Sequence, residues 1–122
     1  MSATVILPDK IWTPRLGVVE VDITIPTTVD GTSGATCIFE LLRCMSIVWS
    51  AISSNFNAKT VELKASNDGV NFFALASANQ LTSSGNKPVP AIECGYKWWQ
   101  ISSTGAPIVD IAVIVIGNQL GR

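Results

Sequence analysis

Apolar and polar residues alternate with a period of two along much of this chain. Gly17 to Ile25 shows it most clearly: Val19, Val21, Ile23 and Ile25 fall on one face, Glu20, Asp22 and Thr24 on the other. Alternation of β-branched residues marks a half-buried strand, and Pro26 ends it. Thr60 to Ala65 repeats the pattern, with Val61, Leu63 and Ala65 inward and Glu62 and Lys64 outward. The spacing predicts further strands over Ala35 to Leu42, Ser46 to Ser53, Val70 to Leu75, Tyr96 to Ser102 and Ile108 to Ile116. Glu40 to Met45 would also tolerate a helical turn. In the last strand Val109, Ile111, Val113 and Val115 form one apolar face.

Turn residues separate these runs. Asp30-Gly31, Ser33-Gly34, Asn55 to Ala58, Thr104 to Pro107 and above all Ser66-Asn67-Asp68-Gly69 are turn signals, and the last predicts a hairpin into Val70 to Leu75. Ser77 to Pro90, with Gly85, Pro88 and Pro90, reads as a long loop with little regular structure. No stretch carries a convincing 3.6-residue period, so crossover helices for an α/β fold are missing. The expectation is one all-β domain: a single antiparallel β-sandwich or jelly roll of about seven to eight strands. Residues 1–16, with Pro8 and Pro14 around Trp12, read as an extended N-terminal arm or an edge strand, Ala3 to Leu7 being a short strand within it. Residues 17–122 read as the sandwich.

Charge then narrows the partners. Only 14% of the 122 residues are charged, while 48% are hydrophobic. An ordinary soluble domain carries ~25% charge, so part of this surface must be neutral or apolar, as at contacts between chains. The net charge is −1 and the eight Lys and Arg are scattered. Phosphate backbones demand clustered positive charge, so nucleic acid is not an expected partner. The C-terminal apolar run Ile111 to Ile116 falls far short of the ~18 residues that span a bilayer. Met1 to Leu7 lacks the basic and apolar regions of a signal peptide, which predicts a product made in a cytoplasm.

Catalytic chemistry finds little purchase. Histidine is absent, which removes the commonest general base and the Ser-His and Cys-His nucleophile systems. Glu20 and Asp22 share a strand face roughly 6.6 Å apart at ~3.3 Å per residue. That separation suits glycoside hydrolysis, but a solvated strand face is the expected role. Three cysteines, Cys37, Cys44 and Cys94, form no Cys-x-x-Cys and read as buried small apolar residues rather than disulfides or zinc ligands. No cofactor, metal or catalytic residue is expected. Asp110 reads as a charge that discourages edge pairing or as a contact. Trp98 and Trp99, adjacent on one strand, point to opposite faces: one for the core, one for a groove or contact.

Two stretches carry a resemblance. Ser66-Asn67-Asp68-Gly69-Val70-Asn71-Phe72 resembles the S-x-D-G-x-x-W/F hairpin of discoidin-like (galactose-binding-like) jelly rolls, and Tyr96-Lys97-Trp98-Trp99-Gln100-Ile101 resembles a later strand of those domains. Preceded by Thr60 to Gly69, the same pair resembles small structural proteins of bacteriophages, which are short and poor in charge. The resemblance covers Thr60 to Ile116, about half the chain. It implies a virion structural protein assembled in the host cytoplasm: a capsid-decorating, vertex, spike or tail-associated subunit, its partners being copies of itself and other virion proteins. The contact residues expected are Trp12, one of the pair Trp98 and Trp99, and Ile114 with Ile116. The alternative is a carbohydrate-binding module for a host glycan, with Asn67, Asp68, Asn71 and Asn86 in the ligand loops.

Overall fold

The computed structural model describes residues 3–41 and 44–119. The expectations touching residues 1–2, Leu42, Arg43 and 120–122 lie outside it. Its strands, in chain order, are β1 (Thr4–Val5), β2 (Lys10–Arg15), β3 (Val18–Ile25), β4 (Ala35–Glu40), β5 (Cys44–Ile52), β6 (Val61–Ser66), β7 (Phe73–Ala74), β8 (Gln80–Leu81), β9 (Gly85–Val89), β10 (Trp98–Ser103) and β11 (Ile111–Gln119). Among the described residues the helical segment is one 3-10 turn, Ala91–Glu93.

The strands form two sheets packed as a sandwich. One runs β1-β4-β10-β6-β7, with β8 also on β6, and the other runs β2-β3-β11-β5-β9. Pairing is antiparallel except between β1 and β4, which run parallel. Period-two burial follows the sequence pattern closely. Val21, Ile23 and Ile25 of β3 and Ile111, Val113 and Val115 of β11 are buried on one side of their sheet. Val61, Leu63 and Ala65 of β6 meet Trp99 and Ile101 of β10 on the inner side of the other. Trp49 and Trp99, both fully enclosed, are the largest side chains of the core.

The N-terminal segment spans both sheets of its own domain. β1 lies on the edge beside β4, and β2 lies on the opposite sheet's edge beside β3, with its register broken between Trp12 and Arg15. Pro14 lies at that break, where a missing N–H costs no ladder bond.

Three boundaries differ from the sequence reading. The predicted strand over Val70 to Leu75 shrinks to Phe73–Ala74, because the Asp68 side chain claims the Val70 and Asn71 amides. The stretch Ser77 to Pro90, read as a loop, carries β8 and the five-residue β9. β9 is an edge strand of polar composition, so apolar alternation could not reveal it. The last strand starts at Ile111: Val109 is exposed, and the Asp110 carboxylate accepts from the Thr27 amide at 3.2 Å, which ties it to the β3–β4 connection.

Candidate functional site

The register of the five-stranded sheet aligns its outward side chains in rows. Trp12 stands opposite Glu20, Glu20 opposite Ile116, Ile116 opposite Val48 and Val48 opposite Pro88. The next row is Lys10, Asp22, Ile114, Ser50 and Asn86, and beyond it come Thr24, Ala112 and Ile52. The result is a sheet face with an apolar centre. Val48 is 44% exposed, Ile52 55% and Trp12 36%, while Ile114 and Ile116 are half-buried between them.

Charge on this face is confined to one side. The Lys10 ammonium lies 4.1 Å from the centre of the Trp12 ring, a cation–π contact. The Glu20 carboxyl is held above the usual carboxylate range. The main cause is a hydrogen bond shared with the Asp22 side chain, followed by burial and by the Asp22 charge; the Trp12 indole and the Lys10 ammonium pull the other way. Asp22 Oδ1 is sealed from solvent with no donor against it. Glu20 and Asp22 thus stand together at the charged side of the face, in register with Ile116 and Ile114.

The second candidate is a cleft of about 590 Å³ at the β6–β7 hairpin. Its floor is the Ser66–Asn71 turn. Ser66 Oγ accepts from the Asp68 and Gly69 amides at 3.1 and 3.0 Å and donates to Asp68 Oδ1 at 2.8 Å. Asp68 Oδ1 also accepts from the Val70 and Asn71 amides, and Oδ2 accepts from Asn71 Nδ2. These donors, the Asn71 amide first, hold the Asp68 carboxyl well below the usual carboxylate range. Gly69, at φ +77°, lets the turn lie flat on Trp98: a Cβ there would press on the indole at 3.1 Å. Phe73, 70% exposed, and Tyr96, 38% exposed, stand at the mouth. Tyr96 meets the Trp99 ring edge-on at 6.2 Å. The Glu93 carboxylate on the far wall is engaged by the Ser77 amide and hydroxyl.

The contact candidates expected from sequence therefore separate. Trp12, Ile114 and Ile116 come together on one face. Trp98 lies on the outer side of the other sheet, half-buried beneath its own chain's turn. Trp99 is fully enclosed, and its indole N–H donates to the Tyr96 carbonyl at 3.0 Å; it belongs to the core, not to a contact surface. Of the four expected loop residues, Asn67, Asp68 and Asn71 line the cleft. Asn86 does not: it pairs with Ser50 in the five-stranded sheet. Sequence reasoning missed Val48, Ile52 and Pro88 on the face, and Phe73, Tyr96 and Glu93 at the cleft. The β5 residues were legible: with Ile47, Trp49 and Ala51 inward, Val48 and Ile52 must point out.

All three cysteines are buried, and none is joined in a disulfide. Among the described residues, no group of three or more His, Cys, Asp or Glu side chains is placed to hold a metal ion, and no helix is long and apolar enough to cross a membrane. The fold defines the chain as a two-sheet β-sandwich. No protein-family model, curated protein or solved structure matches it.

Proposed function

We propose that this protein is a structural subunit that works by assembly rather than by catalysis, and that its setting is a bacteriophage virion, assembled in the host cytoplasm. The observation that carries the assembly reading is the row Trp12, Glu20, Ile116, Val48 and Pro88, apolar at all but one place, brought into line across the five-stranded sheet. A small domain with 14% charged residues that turns such a row outward has a surface suited to another chain. The virion setting, and a jelly-roll topology with it, rest on the resemblance of Thr60 to Gly69 and Tyr96 to Ile101 to phage structural proteins. Light scattering over a dilution series tests the reading. It predicts a mass above the 13.0 kDa of one chain, falling on dilution. A mass of one chain at every concentration overturns self-assembly.

The cleft favours a second reading, a carbohydrate-binding module for a host glycan. Its exposed aromatics, Phe73 and Tyr96, offer faces on which a sugar ring can stack. Asp68 and Asn71 are largely spent within their own turn, so polar recognition falls first to Asn67. Glycan titrations that quench tryptophan fluorescence in the wild type, and fail to do so in Tyr96→Ala, support this reading. A flat response across a glycan array removes it.

A further inference from the structure

We infer that the outer face of the five-stranded sheet closes on the same face of a second copy, giving a twofold pair joined sheet to sheet. The inference rests on the assembly reading above and names its partner.

The edges of both sheets are poorly suited to growth. In the five-stranded sheet, β2 carries Pro14 at a break in register and β9 carries Pro88. Proline cannot donate to a ladder, and broken or proline-bearing edges resist strand addition. In the other sheet, the edge strands β1 and β7 are two residues long. A contact between copies is therefore left to the faces.

The two outer faces differ. On the six-stranded sheet, Ile38 points outward among Thr36, Glu62, Lys64, Gln100 and Ser102, and the turn at Gly69 roofs Trp98. That face is polar around a lone isoleucine, and partly covered. The five-stranded face presents Trp12, Val48, Ile52, Ile114 and Ile116. A twofold contact must be self-complementary. An apolar centre matches itself, and because the charge is confined to the β2–β3 side, a twofold axis along β11 sets that side against the neutral Ser50, Asn86 and Pro88 of the copy rather than against like charge.

The size is adequate. Five strands at about 4.8 Å spacing and seven residues at about 3.3 Å give a face of roughly 550 Å². Two such faces cover roughly 1,100 Å², near the lower limit of specific interfaces. The pair is accordingly reversible and sensitive to dilution.

Ile114 sits in the middle row of β11, the middle strand of the sheet, so a twofold axis through the face brings it close to its copy. Gln100 holds the matching place on β10 in the other sheet. The native thiols are buried and leave the background silent. The test compares Ile114→Cys with Gln100→Cys treated with a short bismaleimide, which spans the about 10 Å between packed sheets, on a denaturing gel, beside sedimentation of the wild-type protein. The expected result is a wild-type mass of two chains, a cross-linked pair from Ile114→Cys and none from Gln100→Cys. A wild type that associates beyond a pair, or a wild-type pair with no cross-link at position 114, overturns the sheet-to-sheet contact and leaves assembly standing. A wild type of one-chain mass at every concentration overturns the assembly reading itself.

Discussion

The indole N–H of Trp49 donates to Oδ1 of Asn79 at 2.8 Å, with both residues buried. Trp49 belongs to β5 in the five-stranded sheet. The Asn79 carbonyl accepts from the Leu63 amide of β6 in the other, so this bond ties the two layers together. Asn79 Nδ2 continues the chain to Ser77 Oγ at 2.6 Å, and Ser77 donates to Glu93 at 2.7 Å. Asn79→Leu leaves a buried donor unpaired, which costs about 1–3 kcal/mol. Chemical denaturation of Asn79→Leu, Trp49→Phe and the double variant should show a combined loss smaller than the sum of the two. Strictly additive losses would mean that the bond is not what couples these positions.

Gly34 is confined from two directions. Its φ is +73°, and a Cβ would fall 1.8 Å from the Ser103 carbonyl oxygen and 2.8 Å from the Gly105 amide nitrogen. Its neighbour Ala35 donates to the buried Ser103 hydroxyl at 3.0 Å. Gly34→Ala should cost at least about 2 kcal/mol from strain and displacement. Gly31→Ala, with nothing within 4 Å of the new methyl, should stay within about 0.5 kcal/mol of wild type. Thermal unfolding distinguishes them, and equal melting temperatures would refute this account of the turn.

Asp68 ties stability to pH. Its carboxyl titrates below the ordinary range because donors from Asn71, Val70 and Ser66 favour the ionised form. A lowered folded-state pKa stabilises the protein above the unfolded value of about 3.9 and is lost as pH falls below it. The melting temperature of wild type should exceed that of Asp68→Ala by a constant margin near neutral pH, and the margin should shrink below about pH 4. A margin independent of pH down to pH 2 would rule out the ionised carboxylate as its source.

The thiols should be inert in the native state. Burial pushes Cys37 up to about 12 and Cys44 up to about 11, and Cys94 is raised for the same reason. Thiolate is the reactive form. A colorimetric thiol reagent at pH 8 should react with none of the three until denaturant is added, and then with all. Rapid reaction of any one in native protein would show that its strand or turn opens readily.

The sandwich was legible because its central strands alternate between water and core. Val21, Ile23 and Ile25 or Val61, Leu63 and Ala65 can be buried together only as strands. Edge strands give no such signal. β9 reads Gly-Asn-Lys-Pro-Val, with Val89 its fully buried member. The face was half legible: Ile114 and Ile116 stand out in sequence, but their alignment with Trp12 and Val48 depends on register, which arises from pairings between strands far apart in the chain. Trp98 and Trp99 were assigned to opposite faces by strand geometry alone. Which one faces the core, and that Gly69 roofs the other, follows from the register of β10 against β6. The Asp68 turn was visible as a turn, but the number of its own amides that its carboxylate would engage was not.

One comparison tests the central claim most directly. Val48 and Ile38 are exposed to a similar extent, 44% and 42%, on the outer faces of opposite sheets. Masses of wild type, Val48→Glu and Ile38→Lys, followed by light scattering over the same dilution series, separate the two faces without disturbing the core. The account predicts that wild type and Ile38→Lys associate alike, while Val48→Glu falls to the 13.0 kDa of one chain. Association that survives Val48→Glu, or that Ile38→Lys abolishes instead, would contradict it.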